Sequence, residues 1–283
     1  MSRQPADDVD IQAGVRHRGV IASDLDGTLL RIDSTVSART IEAVERAIDA
    51  GFVFVPVTGR PQPMAVDIVR QLPMVDYWVF GNGSTTWHQG RNEVLRNHSF
   101  SPEFAAEMIN RTRAEIPNLC FGVDTAEGPL FEAGYSALVP DLEALDPYSN
   151  VADHLTMPIH KILVFEPAGV PSDLFGLLRP IVGNDGVVAH SGLAFLEITE
   201  NLIDKSTALA DLAGDLGVTS ADVATFGDYL NDIPMLSWAG QSFAIAHADP
   251  SVKASADHVI GSNEDDAVAG IINRIVDGEF LPG

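Results

Sequence analysis

The chain reads as an α/β protein built on a parallel sheet covered by helices, with a second, α+β unit inserted partway along. Three observations predict this. In the first and last thirds, short runs that are apolar on both faces alternate with segments of helical period, the pattern of strands buried beneath helices. The middle third loses that alternation. And 283 residues suit two domains, or one domain with a large insertion, better than a single compact unit.

Taken in order, 1–18 is polar and has no apolar leader core, so it predicts a flexible N-terminus. Val20-Ile21-Ala22 predicts the first strand, leading into Asp24. Ile41, Val44 and Ile48 recur at helical spacing, and Gly51 stands where a helix would end. The apolar run from Phe52 to Val57 is a second strand, stopping at Thr58-Gly59-Arg60. A helix is expected over 64–72, then a third strand over Tyr77–Phe80 that stops at Gly81-Asn82-Gly83.

In the middle, Ser101 and Pro102 make a good cap and first residue for a helix reaching about Arg113. Strands are predicted over 119–123 and 159–165, a helix near 172–178, and a hairpin around His190-Ser191-Gly192. From Asn201 the alternation resumes. Leu209, Leu212 and Leu216 stripe a helix that stops at Gly217, and Val223–Phe226 is a strand that stops at Asp228. Short strands over 243–245 and 258–260 and a helix over 267–276 complete the chain. The expected division is therefore a core of 19–86 and 189–283 with 87–188 inserted.

Composition narrows the function. Apolar residues make up 46 %, enough for a sizeable core. A net charge of −23 is the opposite of a nucleic-acid-binding surface. No apolar run approaches the ~20 residues of a membrane helix. A single cysteine, Cys120, excludes an internal disulfide framework and fits a reducing, cytoplasmic setting. Lys161, Lys205 and Lys253 are the only lysines, so each carries weight in so acidic a chain.

The chemistry lies in two short acidic motifs. Asp24 and Asp26 stand in Ser23-Asp24-Leu25-Asp26-Gly27-Thr28, and Asp228 and Asp232 in Gly227-Asp228-Tyr229-Leu230-Asn231-Asp232. Each motif follows a buried strand, and in open α/β sheets the carboxyl ends of the strands border the active crevice. Carboxylates brought together there repel one another and need a cation; an all-oxygen ligand set favours a hard ion such as Mg²⁺. In such a pair as Asp24 and Asp26, one carboxylate can attack phosphorus while the other handles the leaving-group proton.

These motifs resemble those of the haloacid dehalogenase-like (HAD) hydrolase superfamily. Asp24 to Leu30 is similar to its first motif, Val57-Thr58-Gly59-Arg60 to its second, Lys205 to its third and Gly227 to Asp232 to its fourth. An insert of about a hundred residues between the second and third motifs, with Phe80-Gly81-Asn82-Gly83 and the stretch from Lys253 to Ile260, resembles the Cof-type subfamily with a C2 cap. The resemblance implies a Rossmann-like core with an α+β cap, and a Mg²⁺-dependent phosphatase acting on a small phosphate ester, foremost a sugar phosphate.

By the same resemblance Asp24 would be the nucleophile, forming an aspartyl-phosphate, and Asp26 the general acid and base. Thr58, Gly59, Lys205 and Asn231 would bind phosphate. Mg²⁺ would be held by Asp24, the Asp26 carbonyl and Asp228, with Asp232, Arg60 and Asn82 in support. The expected partner is that small molecule alone, with no nucleic acid and no membrane, and the protein a monomer or homodimer. Two other functions fit the motifs: a phosphotransferase of the phosphomannomutase type, and a non-catalytic binding protein that keeps the fold. The chain departs from the family at His247, where asparagine is usual, and at Asp266, where glycine is frequent.

Overall fold

The computed structural model describes residues 17–133, 148–166, 173–190, 195–200 and 203–281. Strand β1 (Gly19–Ser23) is buried along its whole length. Helix α1 (Ala38–Asp49) follows, capped by the Ser37 side chain, which accepts from the Thr40 amide. It ends at Gly51, whose φ of +90° is one that glycine adopts without strain. Next comes β2 (Phe52–Pro56). The helix expected over 64–72 is shorter, a 3₁₀ turn over Gln62–Ala65 and one helical turn, α2 (Val66–Val69). Beyond it the chain advances by turns (Gln71 amide to Ile68, Leu72 amide to Val69), because Pro73 disfavours helical backbone before it. Strand β3 (Tyr77–Phe80) is where it was expected, but it pairs antiparallel with β4 (Thr85–His88), which pairs with β5 (Glu93–Asn97). Neither β4 nor β5 is anticipated, since their threonines, Glu93 and Arg96 interrupt any apolar run; pairing partners decide them.

Helix α3 (Pro102–Glu115) starts at Ser101, whose side chain accepts from the Phe104 amide. There follow β6 (Cys120–Thr125), β7 (Gly128–Phe131), β8 (Ile159–Phe165), α4 (Leu174–Val182), β9 (Val187–His190) and β10 (Leu196–Thr199). These strands form an antiparallel sheet in the order β7-β6-β8-β10-β9. Phe121, Val123, Ile162, Val164, Leu196 and Ile198 pack with side chains of α3 and α4 on one face. Alternation along β8 sends Lys161, Leu163 and Phe165 to the other face, where Leu163 and Phe165 meet Phe131 and Phe195. The expected boundaries at 86/87 and 188/189 fall inside strands. Trp87 of β4 packs in the core with Trp78 and Phe80, whereas β9 pairs with β10 in the inserted sheet. The tip of the predicted hairpin, 191–194, and the N-terminus through 16 lie outside the described residues.

Helix α5 (Lys205–Asp215) opens with a reciprocal cap: Asp204 accepts from the Thr207 amide, and the Thr207 hydroxyl oxygen from the Asp204 amide. Then come β11 (Val223–Gly227), α6 (Ile233–Trp238), β12 (Gln241–Ala244), α7 (Pro250–Ser255), β13 (His258–Val259) and α8 (Ala267–Val276). Five parallel strands form the main sheet among the described residues, in the order β13-β12-β11-β1-β2. Ile21, Phe54, Ala224 and Phe226 face α1 and α8, while Val20, Ala22, Val53, Val55 and Val223 face α5 and α6. Just past β2, Val57 bridges Val79 in parallel, and the Thr58 amide donates to the Val79 carbonyl at 2.9 Å, which sets β3 alongside. Strand β1 lies between β2 and β11, where the order of strands along the sheet reverses relative to the chain, so the crevice opens at its carboxyl end. Among the described residues no helix is long and apolar enough to cross a membrane.

Candidate active site

Asp24 is the first residue beyond β1 and is pinned there by its amide, which donates to the Phe226 carbonyl of β11 at 3.0 Å. Lys205, the first residue of α5, reaches it. Its Nζ lies 2.6 Å from Asp24 Oδ1 and 2.6 Å from Asp232 Oδ1, and all three side chains are buried. Asp232 in turn uses Oδ2 to accept from the Asp228 and Tyr229 amides, each at 3.0 Å, folding the turn after β11 around itself. Gly227 makes this possible: a Cβ there would stand 2.5 Å from the Asp232 Cβ.

One shared ammonium between two carboxylates accounts for the charge states. Burial pushes the Asp24 carboxyl well above the ordinary carboxylate range; Lys205 opposes this, while Asp232 and Asp228 add to it. Burial also works against the Lys205 charge, but Asp232 and Asp24 outweigh it and raise its proton affinity above that of ordinary lysine. Asp228 is raised too, first by burial and then by Asp232, against hydrogen bonding from Thr28 and the opposing effect of His247. The Asp228 carboxylate accepts from Thr28 Oγ1 at 2.7 Å. Sequence reasoning did not assign Thr28 this role, although it lies inside the first motif.

Asp24, Asp228 and Asp232 each offer an oxygen within 4.8 Å of the others. Three carboxylates against the Lys205 ammonium leave two uncompensated negative charges, a balance that a divalent cation restores. The donor set is all oxygen, as Mg²⁺ requires, so these residues fit the ion. Gly27 brings the loop backbone against this cluster. Its φ is +81°, and a Cβ there would lie 2.5 Å from Asp228 Oδ2. Gly27→Ala is therefore expected to cost about 1–2 kcal/mol from left-handed backbone alone. It should also weaken Mg²⁺ binding several-fold by displacing Asp228, which titration calorimetry checks.

The other expected residues divide into two groups. Asp26 turns away from the cluster: its two oxygens accept from Arg60 Nε at 2.7 Å and Nη2 at 2.6 Å, a bidentate pair at the half-exposed rim. Arg60 thus has a defined place beside the site. Thr58 is buried, and its Oγ1 accepts from the Arg60 amide at 3.0 Å, which leaves its O–H to donate. Its carbonyl accepts from the Asn82 amide at 2.9 Å. Asn82 and Asn231 meet, with Asn231 Nδ2 donating to Asn82 Oδ1 at 2.9 Å. Gly59 lies against Asn82, where a Cβ would come within 3.1 Å of the Asn82 Oδ1.

Both departures from the family pattern have a structural place. His247 Nε2 lies 3.3 Å from Asp228 Oδ2, so this residue touches the acidic cluster. Asp266 has φ +55°, the left-handed region that favours glycine, and its carboxylate accepts from Arg31 Nη2 at 3.0 and 3.1 Å.

A parallel sheet covered by helices, with an aspartate just past the carboxyl end of β1 paired to a buried lysine, is the framework of a Rossmann-like α/β protein. The chain belongs to the haloacid dehalogenase-like hydrolase family, whose model matches residues 21–272. It is 28 % identical to an HMP-PP phosphatase of Enterobacter sp. (strain 638) over 92 % of this chain and 97 % of that protein. It is 26 % identical to the 5-amino-6-(5-phospho-D-ribitylamino)uracil phosphatase YcsE of Bacillus subtilis (strain 168), over 95 % of this chain and 98 % of that one. A solved haloacid dehalogenase-like hydrolase from Bacteroides thetaiotaomicron superposes with a TM-score of 0.75 at 25 % identity, covering 91 % of this chain and 99 % of its own.

Proposed function

We propose that the protein is a Mg²⁺-dependent phosphatase that hydrolyses a small phosphomonoester, foremost a sugar or polyol phosphate, through an aspartyl-phosphate on Asp24. The observation that carries this is the Asp24 carboxylate just past the carboxyl end of β1, 2.6 Å from Lys205 and beside Asp228 and Asp232. In the first step an Asp24 oxygen bonds to phosphorus as the ester P–O bond breaks, and Asp26 gives a proton to the leaving alkoxide. In the second, water attacks phosphorus, Asp26 takes its proton, and the bond from phosphorus to Asp24 breaks to release phosphate. For both proton transfers the bidentate pair of Asp26 with Arg60 has to open, since both carboxylate oxygens are occupied.

The Thr58 hydroxyl and the Lys205 ammonium neutralise and orient phosphoryl oxygens, with Asn231 and the Gly59 backbone beside them. Asp24, the Asp26 carbonyl and Asp228 would hold Mg²⁺, which when bound would supply further positive charge at the transferred group. The unit from α3 to β10 acts as a cap that screens the crevice from bulk water. The substrate named for the Bacillus relative carries its phosphate on a ribityl chain, which supports polyol and sugar phosphates as the first class. Phosphate release is the test, measured over sugar phosphates, HMP-PP, the ribitylaminouracil phosphate, nucleotides and an aryl phosphate, with Mg²⁺ and with chelator. Metal-dependent release concentrated on one compound is expected; no release from any would overturn the reading.

A further inference from the structure

A second buried charge cluster lies over the Thr58-Gly59 loop, and the reaction as derived leaves it unused. Lys161 of β8 projects from the face of the inserted sheet opposite α3 and α4. Its Nζ is 2.8 Å from Glu197 Oε1 of β10 and 3.5 Å from Asp124 Oδ2 of β6, and all three residues are buried. Burial disfavours the ammonium, but Glu197 and Asp124 outweigh it and hold Lys161 charged. The same Nζ donates across to the core, to the Gly59 carbonyl at 3.1 Å. Glu197 crosses as well: its Oε2 accepts from Asn82 Nδ2 at 3.0 Å, and Asn82 passes the contact to Asn231.

Two polar threads therefore run from the inserted sheet into the core. One ends on the carbonyl next to Thr58; the other ends on the residue preceding Asp232. Asn82 holds its thread in a left-handed conformation, φ +58°, which asparagine tolerates better than most residues. Stability alone does not call for this solution. A buried ion cluster gains little over apolar packing, and the neighbouring positions on the same face, Leu163 and Phe165, are apolar. What charge adds is direction: the Gly59 carbonyl has its Lys161 donor only while the inserted unit is seated on the core.

We propose that Lys161 is a positioning residue, which couples seating of the cap to the shape of the phosphate-binding loop by holding the Gly59 carbonyl, with Glu197 orienting it and bracing Asn82. This deepens the phosphatase reading and rests on it. Among the described residues, the hydrogen bonds of the cluster to the core run to Gly59 and Asn82 and not to Asp24 or Asp26.

The test uses the full chain with Mg²⁺ and compares wild type with Lys161→Met, which keeps the length of the side chain and removes the charge. On the best ester of the substrate panel, kcat is expected to fall about 100-fold, the scale of a misplacement near 1 Å, with a smaller change in KM. Inorganic phosphate, used as a competitive inhibitor, should bind about 10-fold more weakly, a loss of about one hydrogen bond to a charged group. Amide hydrogen exchange at Arg60 and Asn82 should quicken, since both amides are tied to Thr58. Glu197→Gln, of equal size, should move all three readouts the same way by less, and it carries the test if Lys161→Met does not fold. A variant that loses thermal stability while keeping kcat, phosphate affinity and exchange at wild-type values would reduce Lys161 to a structural ion pair. Absence of hydrolysis by the wild type would overturn the phosphatase reading alone; unchanged exchange at Arg60 and Asn82 would overturn the positioning role whatever the activity.

Discussion

Asp24→Asn is expected to lower turnover by about 10⁴-fold or more, the scale on which removal of a nucleophile acts. The substitution keeps the shape of the side chain and an acceptor for Lys205 but removes the oxygen that attacks phosphorus. The same variant is expected to be more stable than wild type in metal-free buffer at neutral pH. The sign follows from burial. Asp24 in the folded protein holds its proton to higher pH than in the unfolded chain. Its contribution therefore favours the fold below the ordinary carboxylate range and is lost as pH rises through the raised value. Asparagine has no proton to lose, so the wild-type curve should fall relative to the variant over that window, and Mg²⁺ should restore the wild type alone. Phosphate release and thermal unfolding at mildly acidic and neutral pH, with and without Mg²⁺, measure both effects. Turnover near wild type in Asp24→Asn would sink the covalent mechanism.

The second large effect is expected at Lys205. Its Nζ is the shared partner of two buried carboxylates, and Lys205→Met leaves Asp24 and Asp232 facing one another without it. Stripping one partner from a buried ion pair costs about 3–5 kcal/mol. Urea unfolding should show a loss of that size at neutral pH. The loss should shrink as pH falls, because protonating either carboxylate removes the repulsion, and it should shrink likewise in Lys205→Met combined with Asp232→Asn. Turnover should be lost in both variants, because in the proposed mechanism the lysine also neutralises the phosphoryl group. A deficit that stays constant with pH and is additive with Asp232→Asn would show that the three side chains do not act as one cluster.

Much of the site is legible in the amino-acid sequence, for a local reason. Asp24 and Asp228 each end a run that is apolar on both faces, and such runs become neighbouring parallel strands whose carboxyl ends coincide. The structure pairs Ser23 with Phe226 across β1 and β11, which sets the two aspartates side by side. Lys205 is legible as well, as one of three lysines in an acidic chain and by its resemblance to the third motif; the structure sets it at the start of α5, behind the Asp204 cap. The glycines at 27 and 227 permit close backbone approach, and the fold supplies what approaches: Asp228 and Asp232.

Other features have no local signal. Strand β3 has the composition of a central parallel strand, yet its hydrogen-bonded partner is the polar β4. Asp26 looks like a member of the acidic cluster at a spacing of two, but Gly27 turns the backbone and Arg60 captures the carboxylate at the rim. His247 sits in a loop between β12 and α7, and only the folding of that loop over the end of β11 brings it to Asp228.

The amino-acid sequence by itself determined the alternation of strands and helices, the acidic motifs at the strand ends and hence the family, because periodicity and turn chemistry act over a few residues. Tertiary structure alone decided which charged groups became partners. Lys161 meets Gly59 across 102 positions and Asn82 meets Glu197 across 115, contacts that exist only because one sheet is seated on another. No period or spacing in the chain encodes that seating; it is set by how two independently packed cores meet, and there the buried charges find their counterparts.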